Sequence, residues 1–179
     1  MTAYGGTQLA NSFRTVRKNT IQVAEDIPES NYGHIPAPEC KPVGRMLSHI
    51  AVAVQFWDEI HRKQRRSTMQ GLDFVALRNL AEAEENKPRS KAEIIDLLRT
   101  QGEQFAAWLE TLPPEFLDEQ VTEFDGKSTK SRFESLLGAK EHEMHHRAQL
   151  MLIERQLGIV PHITTQRQER MAQLLAAKA

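Results

Sequence analysis

"EHEMHHRAQLMLIERQLGIVP" (residues 141–161) places three of the chain's seven histidines within five positions, then runs on as an apolar-rich segment closed by Gly158 and Pro161. Histidine is neither a strong helix former nor a common buried residue. Three readings are open for the cluster: solvated surface residues, hydrogen-bonded core residues, or ligands for a metal. Helical phase narrows the choice. Leu136, Ala139, Leu150, Ile153 and Leu157 define an apolar stripe, and three- and four-residue steps carry it through position 142 or 143 and then 146. His142 and His146 therefore face inward, roughly 40° apart at about 100° per residue. His145 shares a half-polar row with Glu141, Leu152 and Gln156 and falls on the flank, while Gln149 returns to the inner face. Gly158 is the expected left-handed stop.

Working outward, "SRFE" (131–134) opens this helix with a capping box, Ser131 with Glu134, and "SKAE" (90–93) opens another with Ser90 and Glu93. In the latter, Ile94, Leu98, Phe105, Trp108 and Leu112 share a face until Pro113 and Pro114 end it. A helix over 7–27 carries Leu9, Phe13, Val16, Val23 or Ala24, and Ile27. One over about 43–66 carries Met46, Ile50, Ala53, Trp57 and Ile60. Between these two, "PESNYGHIPAPECKP" (28–42) reads as an extended connection. The 67–89 segment holds a weaker pattern that predicts an additional short helix, with room for a crossover. "VTEFDGKST" (121–129) predicts a small loop or hairpin around Asp125-Gly126. "QRQERMAQLLAAKA" predicts a C-terminal helix, and Trp57 and Trp108 are expected in the core. The fold expected is all-α, a four-helix bundle over a single 1–179 domain.

Charged residues make up 26% and hydrophobic ones 40%, which excludes a disordered chain. With 23 basic against 24 acidic residues, net charge gives no reason to expect nucleic acid or an anionic membrane as partner. "HRKQRR" (61–66) reads as a solvated helix end. The single cysteine, Cys40, rules out an intramolecular disulfide, and its turn-rich surroundings suit a packed or solvated thiol better than a nucleophile. No signal-peptide core and no window long enough to span a bilayer are visible, so a cytoplasmic location is expected.

His49 gives the cluster a partner. It lies in the row Met46, His49, Ala53, Phe56, Ile60, otherwise wholly apolar. Burying three unpaired imidazoles costs several kcal/mol, and a shared metal is one way to satisfy them; a hydrogen-bonded core histidine remains the alternative.

"MLSHIAVAVQFW" and the opening stretch resemble the two signature segments of the DinB-like superfamily of helical bundles, a helix-two histidine followed far downstream by His-x-x-x-His-Arg-Gly-Gln, an arginine and Leu-Gly. Here the matching residues are His49, His142, His146, Arg147, Gln149, Arg155 and Leu157-Gly158, with Ala148 where the family usually has glycine. "NYGHIPAPECKPVGRML" also resembles the family's connection into the first histidine, and the likeness spans roughly residues 5–165. It implies a DinB-like four-helix bundle with His49, His142 and His146 as ligands of one divalent metal ion, zinc or nickel. It also implies a transferase that activates a low-molecular-weight thiol, such as bacillithiol or mycothiol, for attack on a small electrophile. Homodimerisation is common in the family.

Gln149 is expected to steady a ligand histidine, and Gln101, Tyr32 and His34 to reach the pocket or its mouth; surface or backbone-satisfied packing competes for the last three. Arg147 is expected to pair with Glu143 or Glu154. Two rival functions remain: a hydrolase using metal-bound water, and a non-catalytic stress-related metal-binding protein. The hydrolase calls for a carboxylate near the metal as general base, and no inner-stripe acid stands out.

Overall fold

The computed structural model describes residues 4–177. Four long helices make the bundle: α1 (Gly6–Asp26), α2 (Val43–Trp57), α4 (Lys91–Glu110) and α6 (Arg132–Gln156). The shorter elements are α3 (Phe74–Glu85), α5 (Pro114–Asp118), the strands β1 (Gln120–Thr122) and β2 (Thr129–Ser131), and α7 (His162–Ala176). Both expected capping boxes form, Ser90 with Glu93 and Ser131 with Glu134. Gly158 ends α6 at φ +78°, a conformation that costs glycine nothing. The hairpin pairs Gln120 with Ser131 and turns at Gly126, also at positive φ. The C-terminal helix begins at His162, earlier than expected, and Lys178 and Ala179 lie outside the described residues.

The topology follows from two apolar layers. One holds Val23, Ile27, Leu47, Ile50, Leu98, Leu150 and their neighbours; the other holds Leu9, Phe13, Val54, Phe105, Leu109 and Leu136. Each fully buried aliphatic or aromatic side chain contributes roughly 1.5–3 kcal/mol. The order in which each helix visits the layers shows α1 and α6 running one way, α2 and α4 the other. α1 packs on α4 and α6, and so does α2, which puts the sequence neighbours α1 and α2 on opposite corners. Because α2 and α4 run the same way, the chain must return along the bundle between them. α3 is that return, laid against α2, so the short helix and crossover expected for 67–89 are one element.

Between the layers lies a buried ion pair. Arg17 Nε donates to both carboxylate oxygens of Glu143 at 3.0 Å, and its Nη atoms reach the Leu98 and Ile50 carbonyls. All four bundle helices meet at this one guanidinium. Gly102 makes room for it: a Cβ there would stand 2.8 Å from Arg17 Cγ. The α-helix expected over 43–66 gives way after Trp57 to a π-helical turn, Asp58–Lys63. That turn buries His61, which contacts Ser135 Oγ at 2.8 Å, while Arg132 donates to its Nδ1 at 3.1 Å.

Candidate metal centre

The inner stripe of α6 passes through Glu143, not His142. Glu143 is 1% exposed because α1 supplies Arg17 to neutralise it, and this turns the flanking His142 and His146 toward α2 and α3. α2 brings His49 to the same level. One side-chain nitrogen from each of His49, His142 and His146 lies within 4.8 Å of the others, and the Nε2 atoms of His49 and His142 are 3.0 Å apart. The ring centroids are 4.6–4.9 Å apart.

The hydrogen bonds assign two tautomers. Glu85, at the C-terminal end of α3 and 5% exposed, places Oε1 2.5 Å from His49 Nδ1. A carboxylate can only accept, so Nδ1 carries the proton and Nε2 presents its lone pair inward. His146 Nδ1 lies 2.8 Å from Gln149 Oε1, which fixes the same choice for that ring. Lys41 Nζ sits 2.5 Å from Glu85 Oε2 and 3.3 Å from His49 Nδ1. Burial raises the Glu85 pKa, but His49 and Lys41 outweigh it and hold the carboxyl down at about 2. Burial, then the neighbouring His146 and His49, lowers His142 to about 4. His146 is lowered too, chiefly by burial, against a raising bond from Gln149. Both shifts favour the neutral ring of His142 and His146, which is the state a metal needs. Nitrogens each 2.0–2.1 Å from a tetrahedral zinc lie roughly 3.3 Å apart. The converging imidazoles fit a divalent ion in donor chemistry, and the Nε2 atoms of His49 and His142 already stand near that spacing.

A cleft of about 530 Å³ between α2 and α3 ends at His49 and His142. Phe56, Trp57, Phe74 and Leu77 form its apolar walls, and Lys41, Arg45 and Arg78 stand on its polar side. This volume is in the range of small-molecule sites.

Several expectations are corrected here. An acid does stand at the centre: Glu85 comes from α3, the element with the weakest pattern. Trp57 and Trp108 both pack, half-buried, against the core as expected, and Trp57 also walls the cleft, its Nε1–H donating to the Ser135 carbonyl. Arg147 forms no ion pair among the described residues and donates instead to the Val16 carbonyl at 3.3 Å. Glu143 belongs to Arg17, and both carboxylate oxygens of Glu154 are buried without a partner. Tyr32 leaves the cleft and donates to the Ala24 carbonyl at 2.7 Å. His34 does not line the cleft either, and Gln101 stands behind its lining, accepting from Nε2 of the cleft residue Gln55 at 3.4 Å. His145 is exposed, as expected, against Gln149. Ala148 faces solvent, so the extra methyl relative to glycine leaves the pocket unchanged. Cys40 is exposed and free.

Fold and site together define a helical bundle with an open three-histidine centre. The chain belongs to the DinB superfamily, whose family profile it matches over residues 12–150. It is 24% identical over 152 residues to the uncharacterized protein YjoA of Bacillus subtilis, covering 84% of this chain and 90% of that one. The crystal structure of that DinB-like protein superposes with a TM-score of 0.62 at 21% identity, over 84% of this chain and 92% of YjoA. Bacillus subtilis YfiT, described as a probable metal-dependent hydrolase with an unusual four-helix bundle topology, superposes with a TM-score of 0.68 at 16% identity. That match covers 89% of this chain and 91% of YfiT. At these identities the structural matches carry the fold. Among the described residues no helix is long and apolar enough to cross a membrane.

Proposed function

We propose that the protein binds one divalent metal ion, zinc or nickel, through His49, His142 and His146, and uses it to activate a low-molecular-weight thiol for transfer to a small electrophile. The observation that carries this reading is the convergence of three imidazoles at the end of an open cleft with no unengaged carboxylate beside them. A metal held there supplies a positive charge and an open coordination position that lowers the pKa of a thiol or a water reaching it. The chain's residues do the rest. Glu85 and Gln149 hold the Nδ1 protons of His49 and His146 and so aim both Nε2 atoms inward. Phe56 and Trp57 give the approach to the site apolar walls.

A hydrolytic reading, which the description of YfiT invites, requires a general base. The acids on the cleft are all committed: Glu85 to His49 and Lys41, Glu82 to Arg45, Glu59 to Lys63 and Gln64. Glu85 is also held at about 2, far too acidic to take a proton near neutrality. A purely structural metal is disfavoured by the cleft that opens onto the ligands.

The test is conjugation of monochlorobimane with a panel of thiols, metal-loaded against metal-free. The proposal expects metal-dependent turnover with at least one thiol that His49→Ala abolishes. Inactivity with every thiol, alongside metal-dependent ester or amide hydrolysis, would replace it with the hydrolase.

A further inference from the structure

The return helix α3 does more than reconnect the bundle. Phe74, Leu77, Arg78, Ala81, Glu82 and Glu85, at i, i+3, i+4, i+7, i+8 and i+11, all line the cleft. Their chemistry is graded along the helix. Glu82 and Glu85, toward the three histidines, are neutralised by Arg45 and Lys41, and Glu85 also accepts from His49 Nδ1. The middle is apolar, with Leu77 and Ala81 facing Val52, Ala53 and Phe56 of α2. Arg78 differs from the other cations of the cleft in having no carboxylate partner among the described residues; Lys41, Arg45 and Lys63 each have one. The cleft thus offers an apolar trough with one unneutralised guanidinium beside it. From Arg78 to Glu85 is seven residues, about 10 Å along the helix axis.

We infer that the cleft takes an elongated amphiphile: an apolar shaft between α2 and α3, with an anionic group at Arg78 and the opposite end presented to the three histidines, about two helical turns further along α3. This deepens the proposed function by naming the class of the electrophilic substrate, and it rests on that reading only for which end reacts. Arg78 acts as a specificity residue, selecting anionic over neutral ligands of equal length. α3 supplies both the selecting cation and, through Glu85, the brace of a metal-binding histidine.

The test is isothermal titration calorimetry of metal-free protein with n-alkanoates from butanoate to decanoate and with the matching alcohols. Affinity should rise about fourfold per methylene while the shaft fills the trough, and octanoate should bind up to about fivefold tighter than octanol, as an ion pair with the exposed Arg78 allows. Arg78→Gln should erase the preference for acid over alcohol while keeping the chain-length dependence. Arg99→Gln, on α4 outside the cleft, should change neither. Equal binding of acid and alcohol to the wild type, an intact preference in R78Q, or no binding of octanoate would each overturn the inference. So would a preference that arises only after metal is restored, because the carboxylate would then be sitting on the metal. Absence of metal binding by the wild type would sink the proposed function without touching this result, since the titration uses metal-free protein.

Discussion

Removing Glu85 probes the brace behind the proposed metal centre. Its carboxylate is 5% exposed and lies 2.5 Å from both His49 Nδ1 and Lys41 Nζ. Glu85→Ala frees the His49 ring to rotate or to adopt the other tautomer, in which Nε2 carries the proton and cannot bind a metal. It also leaves the Lys41 ammonium 3.3 Å from His49 Nδ1 with no counter-charge. Loss of such a partner costs about 10–100-fold in metal affinity, or about 1.4–2.8 kcal/mol. Lys41 has 33% of its side chain exposed and can swing toward solvent, so the alanine variant should sit near the middle of that range. Glu85→Gln keeps an acceptor oxygen for Nδ1–H but loses the charge, and should lose less. The assay is competition for zinc with a chromogenic chelator at pH 7, with circular dichroism to verify the fold. An affinity for the alanine variant within twofold of wild type would refute the reasoning, since Glu85 would then be merely a surface-helix anchor.

Other perturbations separate structure from site. Glu143→Gln leaves the buried Arg17 guanidinium without its counter-ion, and should lower stability in urea by about 3–5 kcal/mol. Burial first, then Asp26, raises the pKa of Glu154 to about 7. Its folded value exceeds its unfolded one, so its contribution is most favourable below pH 4.5 and is lost as pH rises through 7. Glu154→Gln should therefore raise the melting temperature at pH 8 by several degrees and change it little at pH 5, as thermal scans would show. His61 is lowered to about 4 by burial and then by Arg132, and His142 is lowered to the same value. In both the folded state resists protonation, so the metal-free protein should lose stability as pH falls from about 6.5 toward 4, and His61→Asn should flatten that slope.

The bundle was legible because its helices announce themselves in local chemistry. The Ser90–Glu93 and Ser131–Glu134 boxes, Gly158 and the prolines at 113 and 114 each satisfy or end a helix by interactions a few residues long. The three histidines could be read because helical phase is also local: His49 breaks an apolar row, and His142 and His146 are one turn apart. What phase could not supply was the partner across the fold. Arg17 and Glu143 pair over a separation of 126 residues; each alone reads as surface charge, and phase alone leaves the α6 stripe open between positions 142 and 143. α3 was faint because its periodicity comes from lining a cleft. Only Glu85 is buried in it, while Val75 and Leu80 remain 66% and 70% exposed. A helix that leaves its apolar side to a ligand gives a weak core pattern, and the glutamate that braces His49 was hidden among the other acids of "LAEAEENKP".

The central claim is that His49, His142 and His146 hold a metal. Wild-type protein and His49→Ala, purified without nickel resin, should be compared by elemental analysis. The account predicts close to one equivalent of a divalent transition metal in the wild type and a large loss in the variant. Equal metal content in both would contradict it.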